Sequence, residues 1–322
     1  MSPRRCVAIV VTYESRQEIS ACLDALGAQT GGPPEIWVVD NASKDGTVGW
    51  VRAQYPGVRV IANAENVGFA CANNQVLESE SADVFVLANP DAVPSPGAVA
   101  AAVDVLDAQP DVAIVAPRLV HPDGTLQPSA HAFLGLLNLF GETFGLDRLF
   151  PRSALGSFHM RGFAHDERRD VDWIQGAFLV VRGSAVGRVG AFDPAYFMYG
   201  EEMDWCRRMK RAGYRVVFLP EPSVMHIGGA SSRTLAGPMF VELLKSRLRF
   251  FDRQCAAWTR GPARILVAIA TLGRWFAWEL ASRLPTVDRT AREKRALRIR
   301  MFRAGVRWVL AGLPVSAQGR AR

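Results

Sequence analysis

Cysteine is scarce in this 322-residue chain, and the five present are scattered. Cys6, Cys22, Cys71, Cys206 and Cys255 are odd in number and include no C-x-x-C pair. That argues against a disulfide framework or a cysteine-built zinc site, and for small buried thiols in a reducing cytoplasm. Long apolar runs are missing too: no stretch reads as the ~20 apolar residues of a spanning helix. The basic start Met1–Arg5 leads into the apolar run Cys6–Val11, too short for the apolar core and cleavage site of a secretory leader. It reads as a first buried strand. There are no internal repeats, no low-complexity tracts, and nothing resembling a nucleic-acid-binding module.

What is present is enough apolar residue, 49%, for a sizeable core. The net charge of +7 is unevenly spread. Residues 1–232 carry 19 basic and 26 acidic side chains, whereas residues 233–322 carry 19 and 5. This predicts a catalytic body over 1–232 and a basic extension over 233–322 that meets an anionic surface, or a second copy of the chain.

Strand patterns fall at Cys6–Thr12, Glu35–Asp40, Val58–Ala62, Asp83–Ala88 and Ala113–Pro117. Helical patterns lie between them, near Arg16–Ala28, Thr47–Gln54, Gly68–Ser79 and Ser95–Ala108, the last with Ser95 as its expected cap. Alternating β and α elements predict a mostly parallel sheet covered on both sides, with ligands beyond the carboxyl ends of its strands. His121–Gly124 predicts a turn at the sheet edge. Residues 129–170 read as a long irregular excursion, a candidate flap. Strand patterns resume at Val171–Ile174 and Ala177–Arg182, and a helix is expected from about Glu201 to Ala212. Tyr214–Leu219 reads as a further strand, and from about Leu235 the chain is helical, with apolar Ile265–Leu284 followed by Arg-rich Thr290–Leu310.

Four polar clusters follow predicted strands: Thr12-Tyr13-Glu14, Asp40-Asn41 with Ser43, Asn66 and Gly68-Phe69 with Asn73, and Asn89-Pro90-Asp91. Turns favour such residues anyway. Four of them at the carboxyl ends of one αβ array point to a ligand. Asp40 and Thr12 suit the hydrogen bonds of a base and ribose. Asp91 suits a hard cation, Mg²⁺ or Mn²⁺, which takes one or two carboxylates plus substrate phosphates. Glu201, Glu202 and Asp204 open a helix, where the dipole favours the ionised form that a general base requires. Read alone, each has a blander alternative: Asp40 and Asp91 as turn residues, the acidic trio as dipole complement, Trp173 and Tyr199 as core aromatics.

Taken in order, these motifs resemble the family 2 glycosyltransferases of GT-A fold, especially their bacterial rhamnosyltransferase branch. The resemblance continues through Gly176-Ala177-Phe178, Phe192-Asp193, Phe197–Cys206, Gly213-Tyr214 and His226-x-Gly228-Gly229, and covers roughly residues 5–232. It implies a nucleotide-sugar site at Thr12, Tyr13, Glu14, Asp40, Asn41, Ser43, Asn66, Gly68, Phe69, Asn73, Asn89 and Asp91. It implies a cation at Asp91 and His226, and an acceptor pocket involving Trp173, Gly176, Ala177 and Tyr199. Where many members carry D-x-D, Asn89 takes the first position. Where the family usually has Glu-Asp, Glu201-Glu202 stands, so Glu202 inherits the base, with Asp204 and then Glu201 as alternatives. The implied reaction is inverting transfer, with dTDP-rhamnose as donor and a polyprenyl-linked saccharide as acceptor, on the cytoplasmic face of the membrane. Galactofuranose or glucose transfer is an alternative. A sugar-phosphate nucleotidyltransferase would need an early G-x-x-x-R loop that Val10–Arg16 lacks, and a non-catalytic scaffold would not need the acidic trio.

Overall fold

Cys6–Thr12 is a strand with nearly every side chain buried, as a continuous apolar run requires when both faces of a parallel sheet are covered. The computed structural model describes residues 4–228, 236–283 and 289–313. They fall into two compact units, one drawn from 1–133, 163–197 and 201–231, the other from 134–162, 198–200 and 232–322.

The strands in chain order are β1 Cys6–Thr12, β2 Glu35–Asp40, β3 Arg59–Ala62, β4 Val84–Ala88, β5 Ala92–Pro94, β6 Val112–Val120, β7 Leu126–Gln127, β8 Ala130–His131, β9 Arg169–Asp170, β10 Trp173–Ile174, β11 Phe178–Arg182 and β12 Arg215–His226. The helices are α1 Ile19–Gly27, α2 Thr47–Gln54, α3 Gly68–Leu77, α4 Ala98–Ala108, α5 Leu136–Thr143, α6 Leu146–Leu149, α7 Gly183–Val189, α8 Glu201–Arg211, α9 Ala236–Gln254, α10 Arg260–Ser282 and α11 Arg289–Leu310.

The main sheet of the first unit runs β3-β2-β1-β4-β11-β6-β12-β5. The first four strands are mutually parallel, as the alternating β and α pattern predicts, and β6 is parallel to β12. β11 enters antiparallel between β4 and β6, with Phe178 opposite Ala88 and Val180 opposite Val115. On one face, α1 buries Ile19, Cys22, Leu23 and Leu26, spaced i, i+3, i+4, i+7, against a core containing Ala8, Val10 and Val38.

Most sequence boundaries lie within one or two residues of the observed ones. The expected cap of α4 is different: Ser95 Oγ donates to the Ser223 carbonyl at 2.5 Å, and the helix starts after Gly97 at φ 83°. Local geometry explains it, because Pro96 and Gly97 make a turn that postpones the helix. The short strand β5, just after Asp91, escaped the sequence pattern. The His121–Gly124 turn does join β6 to an antiparallel β7.

The expected excursion over 129–170 is more ordered than its sequence suggests. β8 pairs with β10, and residues 134–162 carry α5 and α6 and group with the C-terminal helices. Glu142 of α5 is the reason the pattern misled: this half-buried acid is held by Arg247 of α9 at 3.0 Å and lies beside Arg274 of α10. This helical segment thus has its partners far along the sequence. The expectation about apolar length is also corrected. Residues 257–282 are helical and include an 18-residue window of mean hydropathy 1.3, long and apolar enough by length and composition to cross a membrane. Its scattered arginines hid this run. One seam of the helix, Ala263, Val267 and Thr271, is buried within the second unit.

Gly68 opens α3 at φ 86°, and a Cβ there would lie 2.4 Å from the Phe197 carbonyl oxygen. Gly49, exposed in α2, meets nothing. Gly68→Ala is expected to lower stability by roughly 2–4 kcal/mol in urea unfolding, from left-handed strain plus a backbone clash. Gly49→Ala should be neutral or slightly stabilising.

Candidate active site

The carboxyl ends of β1 and β2 are cross-tied. Asp40 is buried, and its Oδ1 accepts from Thr12 Oγ1 at 2.8 Å and Ser43 Oγ at 2.6 Å. Oδ2 accepts from the Ser43 N–H at 2.8 Å. A carboxylate offers about four acceptor positions, so one on Oδ2 remains for a ligand. The turn around it includes two non-glycine residues in the left-handed region, Glu14 at φ 52° and Ala42 at φ 62°. Glu14 is pinned there by its N–H donating to Ser43 Oγ and by its carboxylate accepting from the Lys44 N–H, both at 2.8 Å. Tyr13 lies between these ties and is half-buried.

The next strand ends join this network. Asn41 accepts from Asn63 Nδ2 at 3.0 Å and donates to the Gly68 carbonyl at 3.2 Å. Asn66 Oδ1 accepts the Gly68 N–H at 3.0 Å, shaping the entry to α3. The Phe69 N–H donates to Phe197 O at 2.7 Å, which brings the 192–197 segment against α3. Asn73 donates to Phe69 O at 2.9 Å, and its buried Oδ1 has no hydrogen-bond partner among the described residues.

Asn89, Asp91 and His226 converge although 137 positions separate Asn89 from His226. His226 ends β12, paired opposite Ala92 of β5. Its Nε2 is 3.2 Å from Asp91 Oδ1 and 3.3 Å from Asn89 Nδ2. Gln127 Oε1 lies 3.0 Å from Nδ1 and accepts its proton, so a proton on Nε2 bonds to the Asp91 oxygen and its loss leaves a lone pair facing that oxygen. Two acceptor atoms that close require a proton or a cation between them. Asp91 Oδ2 is occupied separately by the Gly228 N–H at 2.9 Å. Burial alone would raise the Asp91 carboxyl, but the His226 hydrogen bond and charge, with the Gly228 N–H, hold it below the ordinary carboxylate value. Among the described residues no three His, Cys, Asp or Glu side chains group to hold a metal by themselves. The donor set therefore fits a hard cation that completes its shell with phosphate and water oxygens. Gly229, the last residue of the His226-x-Gly228-Gly229 motif, lies outside the described residues.

The acidic opening of α8 lies beside this edge. The Asn89 N–H donates to Ala177 O at 2.9 Å, and the neighbouring Gly176 N–H reaches Glu202 Oε1 at 3.4 Å. Three acidic residues share the first turn, in three different settings. Glu201 is buried, and desolvation, then the charge of Glu202, push its pKa well above the ordinary carboxylate value. Asp204 is buried and accepts from Arg208 Nε at 2.8 Å, while Arg208 also donates to Val189 O and Ala191 O. Glu202 is the one that faces the Gly176–Ala177 backbone. Trp173 is buried, stacked on His131 with centroids 4.5 Å apart, and donates to Ala132 O at 2.9 Å. Tyr199, at φ 68°, belongs to the second unit.

Sequence reasoning missed Gln127. It sits on a two-residue strand 99 positions before His226, and no local pattern marks it. Arg208, which occupies Asp204, follows it by one helical turn and was legible in principle as an i,i+4 pair.

Solved structures share this fold. The mannosyltransferase PcManGT from Pyrobaculum calidifontis, in complex with GDP-Man and Mn²⁺, superposes with TM-score 0.55 at 18% identity, covering 97% of this chain and 88% of its own. GalNAc-T7 with UDP, GalNAc and Mn²⁺ superposes with TM-score 0.56 at 12% identity, over 97% of this chain and 58% of that one. The fold is GT-A, that of nucleotide-sugar glycosyltransferases. Residues 7–168 match the profile of glycosyl transferase family 2. The N-acetylglucosaminyl-diphospho-decaprenol L-rhamnosyltransferase of Mycobacterium tuberculosis is 30% identical over 267 residues, 80% of this chain and 87% of that protein. Rhamnosyltransferase WbbL of Escherichia coli K12 is 38% identical over 84 residues, 26% of this chain and 32% of WbbL. The chain belongs to glycosyl transferase family 2.

The two buried acids predict opposite effects. A carboxyl whose folded pKa is raised favours the fold most below its unfolded value, and that contribution is lost as pH rises through the folded one. Glu201→Gln should therefore gain stability relative to wild type as pH rises above the ordinary carboxylate range, read by urea midpoints. Asp204→Asn should lose roughly 2–4 kcal/mol at neutral pH, because it strands the Arg208 guanidinium.

Proposed function

We propose that the chain transfers rhamnose from dTDP-rhamnose, with inversion, to an N-acetylglucosamine-bearing polyprenyl diphosphate at the cytoplasmic face of a membrane. The observation that carries this reading is the juxtaposition of the Asp91–His226 pair with Glu202 across the Asn89–Ala177 backbone bond. A leaving diphosphate and an attacking hydroxyl need those two functions side by side. The name of the mycobacterial relative supports the sugar and the lipid-linked acceptor. In this reading 1–232 is the catalytic body and 233–322 an extension that rests in the plane of an anionic leaflet.

The residues divide the work. Asp40, Thr12, Ser43 and the Asn41–Asn66 network hold the nucleoside. Asp91 and His226 hold Mg²⁺ or Mn²⁺, which when bound neutralises charge on the departing diphosphate. Gln127 keeps the His226 lone pair on Nε2. Glu202 takes the proton of the acceptor hydroxyl as its oxygen bonds the anomeric carbon, while the bond from that carbon to the diphosphate oxygen breaks on the opposite face. Asp204 is committed to Arg208, and Glu201 is buried where ionisation is unfavourable, so Glu202 is the base of choice.

Donor screening by nucleoside diphosphate release should favour dTDP-rhamnose over UDP- and GDP-sugars, and full activity in EDTA would exclude the cation. Glu202→Gln should lower turnover by at least ~10²-fold with donor affinity nearly unchanged. Asp91→Asn should weaken donor binding in the presence of Mn²⁺ but not in EDTA. A product that retains the donor's anomeric configuration would refute single displacement.

A further inference from the structure

Three arginines of α11, Arg300, Arg303 and Arg307, line a cavity of about 660 Å³ against the first turn of α9, with Gly237, Pro238 and Leu297. Spacings of three and four residues put them on one helix face, where like charges repel. Glu279 of α10 offsets only Arg303, at 2.7 Å. Arg300 and Arg307 have no ion pair or hydrogen bond among the described residues, and both are exposed. A local excess of positive charge, carried by forks that match phosphate oxygens in pairs, faces a space of ligand size.

The surroundings narrow the ligand. Glu279, the partner of Arg303, falls between Phe276 and Leu280, whose exposures are 64% and 54%. Ile265, Ile269 and Leu272 continue the stripe at helical spacing, all exposed. A soluble phosphate would satisfy the arginines and leave this stripe in water. A lipid satisfies both, with its headgroup on the guanidiniums and its chains beside the apolar face.

We propose that Arg300, Arg303 and Arg307 form a binding site for the phosphate of an anionic membrane lipid. The proposal rests on the membrane placement given above and adds a defined site to it. The glycosyl transfer reading does not depend on it.

The test uses the full chain and vesicles of phosphatidylcholine with or without phosphatidylglycerol, by co-sedimentation. R300Q/R307Q removes two charges from the cavity and leaves the Arg303–Glu279 pair. K294Q/R298Q removes two exposed charges from the opposite face of α11 and serves as the matched control. At about 1 kcal/mol per basic residue engaged at such a surface, R300Q/R307Q should weaken binding to phosphatidylglycerol vesicles on the order of 30-fold. The control should weaken it no more than a few-fold. Both variants should keep the wild-type thermal midpoint, since each removes repulsion, and R300Q/R307Q should keep wild-type nucleoside diphosphate release with a soluble acceptor. Equal losses in the two variants would mean diffuse charge attraction and overturn the site while leaving membrane association intact. Wild-type protein that ignores phosphatidylglycerol vesicles overturns both. Calorimetric binding of inorganic diphosphate as tight as vesicle binding, and lost in R300Q/R307Q, would assign the cavity to a soluble anion instead and overturn the lipid.

Discussion

The backbone hydrogen bond from Asn89 to Ala177 is the constraint on which the site depends. It exists because β11 runs antiparallel into a set of parallel strands, which brings the start of one strand level with the end of another. Without that reversal the Gly176–Ala177 corner would sit at the far edge of the sheet, away from Asn89-Pro90-Asp91. With it, the backbone that touches Glu202 and the loop that holds Asp91 are neighbours by pairing, independent of side-chain adjustment. In the proposed reaction, main-chain geometry sets the leaving group and the attacking hydroxyl at fixed spacing.

Electrostatics then separates groups of the same residue type. Five acidic side chains, Asp40, Asp91, Glu201, Glu202 and Asp204, are buried around this edge, and their neighbours treat them differently. Asp40 is tied by hydroxyl and amide donors with one acceptor position left, Asp204 is held by a guanidinium, and Asp91 is shared between an N–H and an imidazole. Glu201 has desolvation with no compensating cation, and its proton is held accordingly. Fixed neighbours decide which carboxylate is structural, which faces a cation and which is placed to accept a proton.

The second unit follows another logic. Its core seam on α10 is narrow, made of small and β-branched side chains, whereas the larger apolar side chains of the same helix are exposed. The proposed lipid site uses the apolar stripe on α10 together with Arg300 and Arg307 of α11, which have no ion pair among the described residues. The half-buried Glu142, held by Arg247 and flanked by Arg274, ties α5 to that helical group and explains why residues 134–162 belong there.

Much of the first unit was legible from sequence because its signals are local. Continuous Val and Ile runs require strands buried on both faces, the i, i+3, i+4 spacing of Ile19, Cys22 and Leu23 requires one buried helix face, and polar residues after strands mark where a parallel sheet binds. Thr12, Asp40, Asn66, Asn89, Asp91 and the acidic opening of α8 were all visible in this way. Tertiary structure alone decided that Gln127 holds His226, that Ser95 ties to Ser223 instead of capping α4, and that 134–162 belongs with the C-terminal helices. Each of these rests on a contact whose partner's identity and direction no local periodicity encodes. Short-range pattern specifies which face is buried, and only the folded chain specifies which side chain arrives to meet it.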